Sequence, residues 1–301
     1  MTTVGAVIDR LFLQTLTPPN AQPVLVSLVG AISASDTTLT MGTFAVPEDA
    51  ALLRQGVVLD VGLESMRVTS YVLGASTMDV ERGIYSTTKV AHEDGDPIIM
   101  SPVFARSTVF QAVADNITTL YPSLASTDTE QFVSVGAGIF PVEDGLAVEV
   151  IEIWDSGMAE DLIPVDGRFV SYHPLVGTRA LLANTSSGIV WCRYRKRMGV
   201  ATDETDVIAD LGVDDRWVNI ILAGAAADLM SGKDVPETHT EWVSATLEAE
   251  NIKVGTRMSI AGGLRQYRNI LLSDASNEMI AEDSQKIKVH MNVPAMGGGL
   301  Y

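Results

Sequence analysis

The densest cluster of side chains able to do chemistry is VERGIYSTTKVAHEDGDPI, residues 80–98. Arg82 offers a guanidinium, Thr87 and Thr88 offer hydroxyls, and His92 stands directly before Glu93 and Asp94. A histidine beside carboxylates is what a general base or a metal ligand requires. The same residues, bounded by Gly83 and Gly95, also fit a structural turn. In that reading, Thr87, Thr88 and His92 satisfy backbone groups that a tight loop leaves unpaired. The remaining histidines, His173, His239 and His290, fall in no HxH or HExxH spacing, so no metal ligation is expected. His173 precedes Pro174 between strand-like segments and reads as a β-turn residue. Neither a GxSxG elbow, a P-loop lysine nor a dinucleotide glycine pattern occurs. The single cysteine, Cys192, excludes an internal disulfide and a thiolate zinc cluster, and reads as a small buried hydrophobe. The expectation is a protein that is not an enzyme, with no catalytic residues, no cofactor and no metal.

One basic run stands out, CRYRKR at 192–197, where strand alternation puts Arg193, Arg195 and Arg197 on one face. A nucleic-acid contact is one reading of it. Salt bridging to acidic neighbours is the favoured one, because the formal net charge is -18. Such a charge repels nucleic acid over most of the surface, yet it suits a passage through which DNA moves without being gripped. With 47% hydrophobic and 19% charged residues in 301, the chain can bury a large core, and its length suggests two or three domains. The first residues, MTTVGAVIDRLFLQTL, carry Asp9 and Arg10 inside the apolar run and do not read as a signal peptide. No uncharged apolar stretch is long enough to span a membrane, so a soluble protein made in a reducing compartment is expected.

Stepping outward from these residues, helical periodicity is expected at 4–16, 103–120, 216–230 and in a long helix from about 240 to 271. Trp217 opens the third of these. Trp242, Ala245, Ala249, Ile252, Ile260, Leu264, Tyr267 and Leu271 form a three-four seam along the last, for packing within a subunit or between neighbours. Gly255 and Gly262-Gly263 interrupt that seam, which suggests a close helix approach or a bend. Short β-branched runs bounded by Gly, Ser and Asp lie between the helices. The expected fold class is therefore α+β multidomain: an α-helical bundle interrupted by two β-rich insertions, one small and barrel-like and one a β-sandwich, with an extended C-terminal arm. The divisions are 1–20 (bundle helix), 21–102 (small β domain), 103–122 (bundle helix), 123–200 (sandwich), 201–284 (C-terminal helices, entered through an acidic linker) and 285–301 (arm).

Residues 80–98 resemble a strand-turn-strand signature of tailed-bacteriophage virion proteins, in which Arg-Gly is followed by Gly-Thr or Thr-Thr, a small-residue stretch and then His-x-x-Gly. The matching positions are Arg82, Gly83, Thr87, Thr88, Ala91, His92 and Gly95, while Tyr85-Ser86 departs from the commoner Leu-Gly or Asn-Gly. The start, VGAVIDRLFLQTLTPPNAQPV, and the segment FARSTVFQAVADNITTLYP are similar to the N-terminal third of head-to-tail connector (adaptor, neck) proteins.

The resemblance implies a viral structural protein. It would be a homo-oligomeric ring, a dodecamer, that joins the portal protein to tail or neck proteins. It would line the exit channel during genome ejection, touching DNA without sequence-specific contact and touching no membrane. It implies a place in the virion after assembly in the host cytoplasm. Lys286, Ile287, Val289, Met291, Val293, Leu300 and Tyr301 would form the portal-binding arm. The alternative is a tail or baseplate protein whose sandwich binds a host surface or carbohydrate, which exposed Trp154 or Trp191 would favour. A cell-wall hydrolase, needing two convergent carboxylates, is the third reading.

Overall fold

A computed structural model describes residues 1–13, 24–44, 47–72, 74–136, 138–143, 145–155, 163–185, 188–231 and 254–291. The first β unit begins with β1 (Val24–Ser27), β2 (Thr38–Thr40) and β3 (Val58–Val61). β4 (Glu64–Tyr71), β5 (Thr77–Arg82) and β6 (Pro97–Met100) complete it. They form a curled antiparallel sheet, half of a barrel, in the order β1-β6-β3-β4-β5-β2. Period-two alternation sets its inner face: Met66 and Val68 on β4, and Met78 and Val80 on β5, point into one apolar core with Leu39, Leu59 and Ile98.

Two smaller sheets follow, built from β7 (Ser126–Val133), β8 (Ile139–Pro141), β9 (Ala147–Asp155) and β10 (Ile163–Pro164). The remaining strands are β11 (Gly167–Val170), β12 (Ala180–Ala183) and β13 (Ile189–Lys196). The orders are β10-β9-β13-β7 and β11-β12-β8. Both sheets contribute to one core, with Phe132, Ile153, Val190 and Tyr194 from the first and Phe140 and Leu181 from the second.

The helices are α1 (Val4–Leu11), α2 (Arg106–Thr118), α3 (Val218–Ser231) and α4 (Val254–Met291). Thr3 caps α1 by accepting from the Ala6 amide. α3 is apolar on nearly every side and buried between α2 and one face of α4. Gly224 is where the helices come closest. A Cβ there would collide with the Asn116 carboxamide of α2 and come within 2.7 Å of Arg268 Nε on α4.

The fold class expected from sequence is overturned. The chain is mostly β, with thirteen strands in three sheets and four helices among the described residues, and is not a helical bundle carrying β insertions. The sheets close cores of their own and so do not depend on the helices as a scaffold. Two further expectations change. The acidic segment after residue 200 is no linker: Asp206 and Glu204 carbonyls accept from the Val4 and Gly5 amides, and Ile208 and Val213 are buried beside α1. It thus satisfies donors that the first turn of a helix always leaves open. Nor is 285–301 wholly an extended arm, since Lys286, Ile287, Val289 and Met291 lie within α4. Extending a helix already formed adds one hydrogen bond per residue fixed, so an alternating stretch joined to it follows the helix. Val293, Leu300 and Tyr301 fall outside the described residues, as do Trp242, Ala245, Ala249 and Ile252.

Candidate functional site

β5 delivers Arg82 to the end of the half-barrel, in phase with the inward-pointing Met78 and Val80. β4 delivers Glu64 in phase with Met66 and Val68, and pairs with β5 so that Met66 lies opposite Arg82. The two charges therefore meet inside the core. Arg82 Nε donates to Glu64 Oε1 at 2.9 Å and Nη2 to Oε2 at 2.6 Å, with side-chain exposures of 1% and 0%. Glu64 Oε2 also accepts from the Val90 amide at 3.1 Å and lies 3.0 Å from His92 Nε2. The remaining Arg82 donors go to the backbone carbonyls of Ser33, Asp36 and Val90.

Burial pushes the Glu64 carboxyl up, but the bonds from Arg82, Val90 and His92 outweigh it and hold the group below its ordinary value. Glu64 is thus an ionised acceptor, and the tautomer that fits places the His92 proton on Nε2 as donor. His92 is itself buried, its backbone forming an antiparallel bridge with Ile32. Four donors converge on the carboxylate, three of them on Oε2, and His92 Nδ1 lies 3.6 Å from Asp96 Oδ2 on the neighbouring turn. The arrangement holds three loops together.

The other motif residues divide. Gly83 adopts φ 68°, a left-handed conformation, and a Cβ there would sit 3.0 Å from the Thr87 carbonyl, so glycine is required. Gly95 is likewise left-handed, at φ 93°. Thr87 Oγ1 donates to the Ile84 carbonyl at 2.8 Å and accepts from the Ser65 amide at 3.1 Å. Thr88 departs from expectation: it is exposed and makes no hydrogen bond among the described residues. His92 departs too, spending its side chain on Glu64 and not on the backbone. Tyr85 and Ser86, where the resemblance shows Leu-Gly or Asn-Gly, take φ 54° and 63°.

A second polar node lies where the half-barrel meets α2. Ala105 gives α2 no side-chain cap, and the carboxylate of Asp60 on β3 accepts from the Arg106 amide at 2.8 Å instead. Ser65 Oγ donates to its other oxygen at 2.7 Å. Burial pushes Asp60 up to about 6 despite these bonds. The Arg106 side chain turns outward to Glu204, at 2.6 and 2.9 Å, and to Asp9 at 2.7 Å.

Elsewhere the basic run is matched by acids. Arg195 pairs with Glu149 at 3.0 Å, Lys196 with Asp128 at 2.8 Å and Arg193 with Glu152 at 3.8 Å, while Arg197 lies over the Tyr121 ring. His173 Nδ1 accepts from the Leu175 amide in a turn closed by Gly177. Cys192 is buried, and burial pushes its thiol up to about 12. Trp217 is buried in the helical core, whereas the expected seam on the last helix splits. Leu264 and Leu271 pack inward, and Ile260 and Tyr267 stay exposed. Gly262 and Gly263 lie within an unbroken helix with open space beside them, so they mediate no close approach.

Sequence reading missed Glu64, Asp60 and Arg106. The signal for Glu64 was present: an acid in phase with Met66 and Val68 on a half-buried strand calls for a buried cation, and Arg82 is in phase with Met78 and Val80 in the same way. No protein-family model matches the chain, and no curated protein matches it in sequence.

Proposed function

We propose that this chain is a structural subunit of a bacteriophage head-to-tail connector ring, joining portal to tail and bordering the DNA exit channel. The observation that carries the structural reading is the buried Arg82–Glu64–His92 clamp. The side chains of 80–98 that looked fit for chemistry hold a turn, which supports a structural role for the segment. Its likeness to tailed-phage virion proteins supplies the class. The net charge of -18 suits a channel wall that phosphates pass without binding. Exposed Ile260, Tyr267 and Ile270 on α4 give a ring neighbour an apolar face to cover.

The test is microscopy of the purified chain and of the parent particle. Closed rings of roughly twelve copies, and antibody labelling at the neck, are expected. Labelling confined to the distal tail tip sinks the proposal.

One observation favours the tail-protein alternative. Trp191 on β13 is 38% exposed, beside exposed Ile189 and, across the ladder, Val133. An aromatic face of this kind can stack on a sugar ring. Quenching of tryptophan fluorescence by host surface glycan, lost in Trp191→Ala, would move the assignment to the tail.

A further inference from the structure

Beside the half-barrel is a cavity of about 620 Å³ whose walls mix apolar side chains (Leu52, Val57, Tyr85, Pro102) with two guanidinium groups, Arg54 and Arg67. Its size falls within the range of built binding pockets. Three features set it apart from an accidental dent. Leu52 is 56% exposed, an apolar side chain left facing solvent. Arg54 has no acidic partner among the described residues, although acids outnumber bases 38 to 20 in the sequence. Arg67 has only the exposed Glu81, at 3.4 Å. Finally, Tyr85 and Ser101 line the cavity at φ 54° and 47°. They are two of the three non-glycine residues with positive φ in the described chain. Such a conformation costs of order 1–3 kcal/mol, so this wall of the cavity is held in shape by the structure around it.

An exposed flank of α4 is complementary. Ala261, Leu264, Arg268, Leu271, Leu272 and Ala275 turn toward the helical core, and on the flank beside Leu264 and Leu271, Tyr267 and Ile270 are exposed at 51% and 54%. Asp274 and Glu278, one and two turns further, continue that side and are exposed with no ion-pair partner among the described residues. Apolar residues followed by two carboxylates on one helix face match apolar walls carrying two guanidiniums.

We infer that this exposed flank of α4 docks in the Arg54–Arg67 cavity of a second copy of this chain. Tyr267 and Ile270 meet Leu52, Tyr85 and Pro102, and Asp274 and Glu278 approach the two arginines. The contact joins two different patches, so a pair leaves one copy with a free cavity and the other with a free helix face. A head-to-tail contact of that type closes into a ring when the rotation per copy permits. The inference rests on the ring reading above and names its interface.

Sedimentation velocity of the purified full chain tests it, with four variants checked for folding by circular dichroism. Arg54→Glu with Arg67→Glu, and separately Asp274→Arg with Glu278→Arg, should each weaken association at least about tenfold, and combining all four should restore it. Leu52→Ser guards against loss of fold: Leu52 is 56% exposed, so the change should leave the fold about as stable while still weakening association. Wild-type oligomers untouched by both charge reversals overturn the interface and leave the ring standing. A wild-type chain that is monomeric at every concentration and in low salt overturns both.

Discussion

The Arg82–Glu64 pair allows the sharpest test of the structural reading. Both side chains are buried, and the carboxylate receives four donors at 2.6 to 3.1 Å. Arg82→Met leaves an ionised carboxylate in the core with only the Val90 amide and His92 as partners. Removing one member of a buried pair costs about 3–5 kcal/mol, and this variant should fall near the top of that range. Glu64→Gln keeps an acceptor oxygen where three of the donors converge, and three carbonyls still hold the guanidinium, so it should fall near about 3 kcal/mol. The double variant removes both charges and should cost less than the sum, by a coupling of about 1–3 kcal/mol.

Tryptophan fluorescence is a poor reporter of this unit, because no tryptophan occurs in its sequence from 24 to 100. Native-state hydrogen exchange at the Ile32, Val80 and His92 amides reads it directly. About 3 kcal/mol corresponds to exchange faster by about two orders of magnitude. The pH dependence has a definite sign. Glu64 is held below its ordinary 4.5, so its contribution is complete above that pH and is lost as pH falls through the lower, folded-state value. Additive single-variant effects, or exchange unchanged in Arg82→Met, would refute the clamp.

Asp60 behaves oppositely. Raised from 3.8 to about 6, it keeps a proton in the folded chain that the unfolded chain has lost, so its contribution falls as pH rises through that window, by roughly 3 kcal/mol in all. Asp60→Asn should flatten the slope in urea denaturation between those pH values, whereas Asp60→Ala, which orphans the Ser65 hydroxyl and Arg106 amide, should cost about 2–3 kcal/mol at neutral pH. Gly224→Ala forces a Cβ into Asn116 and should destabilise the helical core by about 1–3 kcal/mol, seen as an earlier transition in Trp217 emission. Cys192, buried and with its thiol pushed up to about 12, should resist iodoacetamide in the folded chain at pH 8 and react once urea unfolds it.

Local signals were legible where the side-chain period was clean. β4 and β5 alternate apolar and polar residues, and the turn at Gly83 needs a residue free to take positive φ. The fold class was misread because period alone does not rank elements. Short helices such as α1 show strong periodicity, while β3, with Leu59, Asp60 and Val61 all buried, shows none and still lies inside its sheet. The seam on α4 was half right for a related reason. Spacings of three and four place Ile260, Leu264, Tyr267 and Leu271 within a broad sector, and only the position of α3 decides which edge of that sector is covered. Asp60 and Arg106 were illegible because their partners are contributed by elements 46 residues apart, with no pattern in either segment to announce them.

The three apolar cores have different chemistry at their joints than inside. Within each core, Val, Leu, Ile, Met and aromatic side chains dominate. Between the half-barrel and α2 the linking groups are a buried carboxylate, a hydroxyl and a helix amide, backed by Arg106 reaching Glu204 and Asp9. Apolar contact tolerates sliding, since it is non-directional, whereas a helix N-terminus held by one carboxylate fixes an angle. The joint therefore sets orientation more than it adds stability, because Asp60 is costly to bury and its bonds only partly offset that cost. The ring proposed above would need that fixed angle, since an error in it would be repeated at every contact between successive copies.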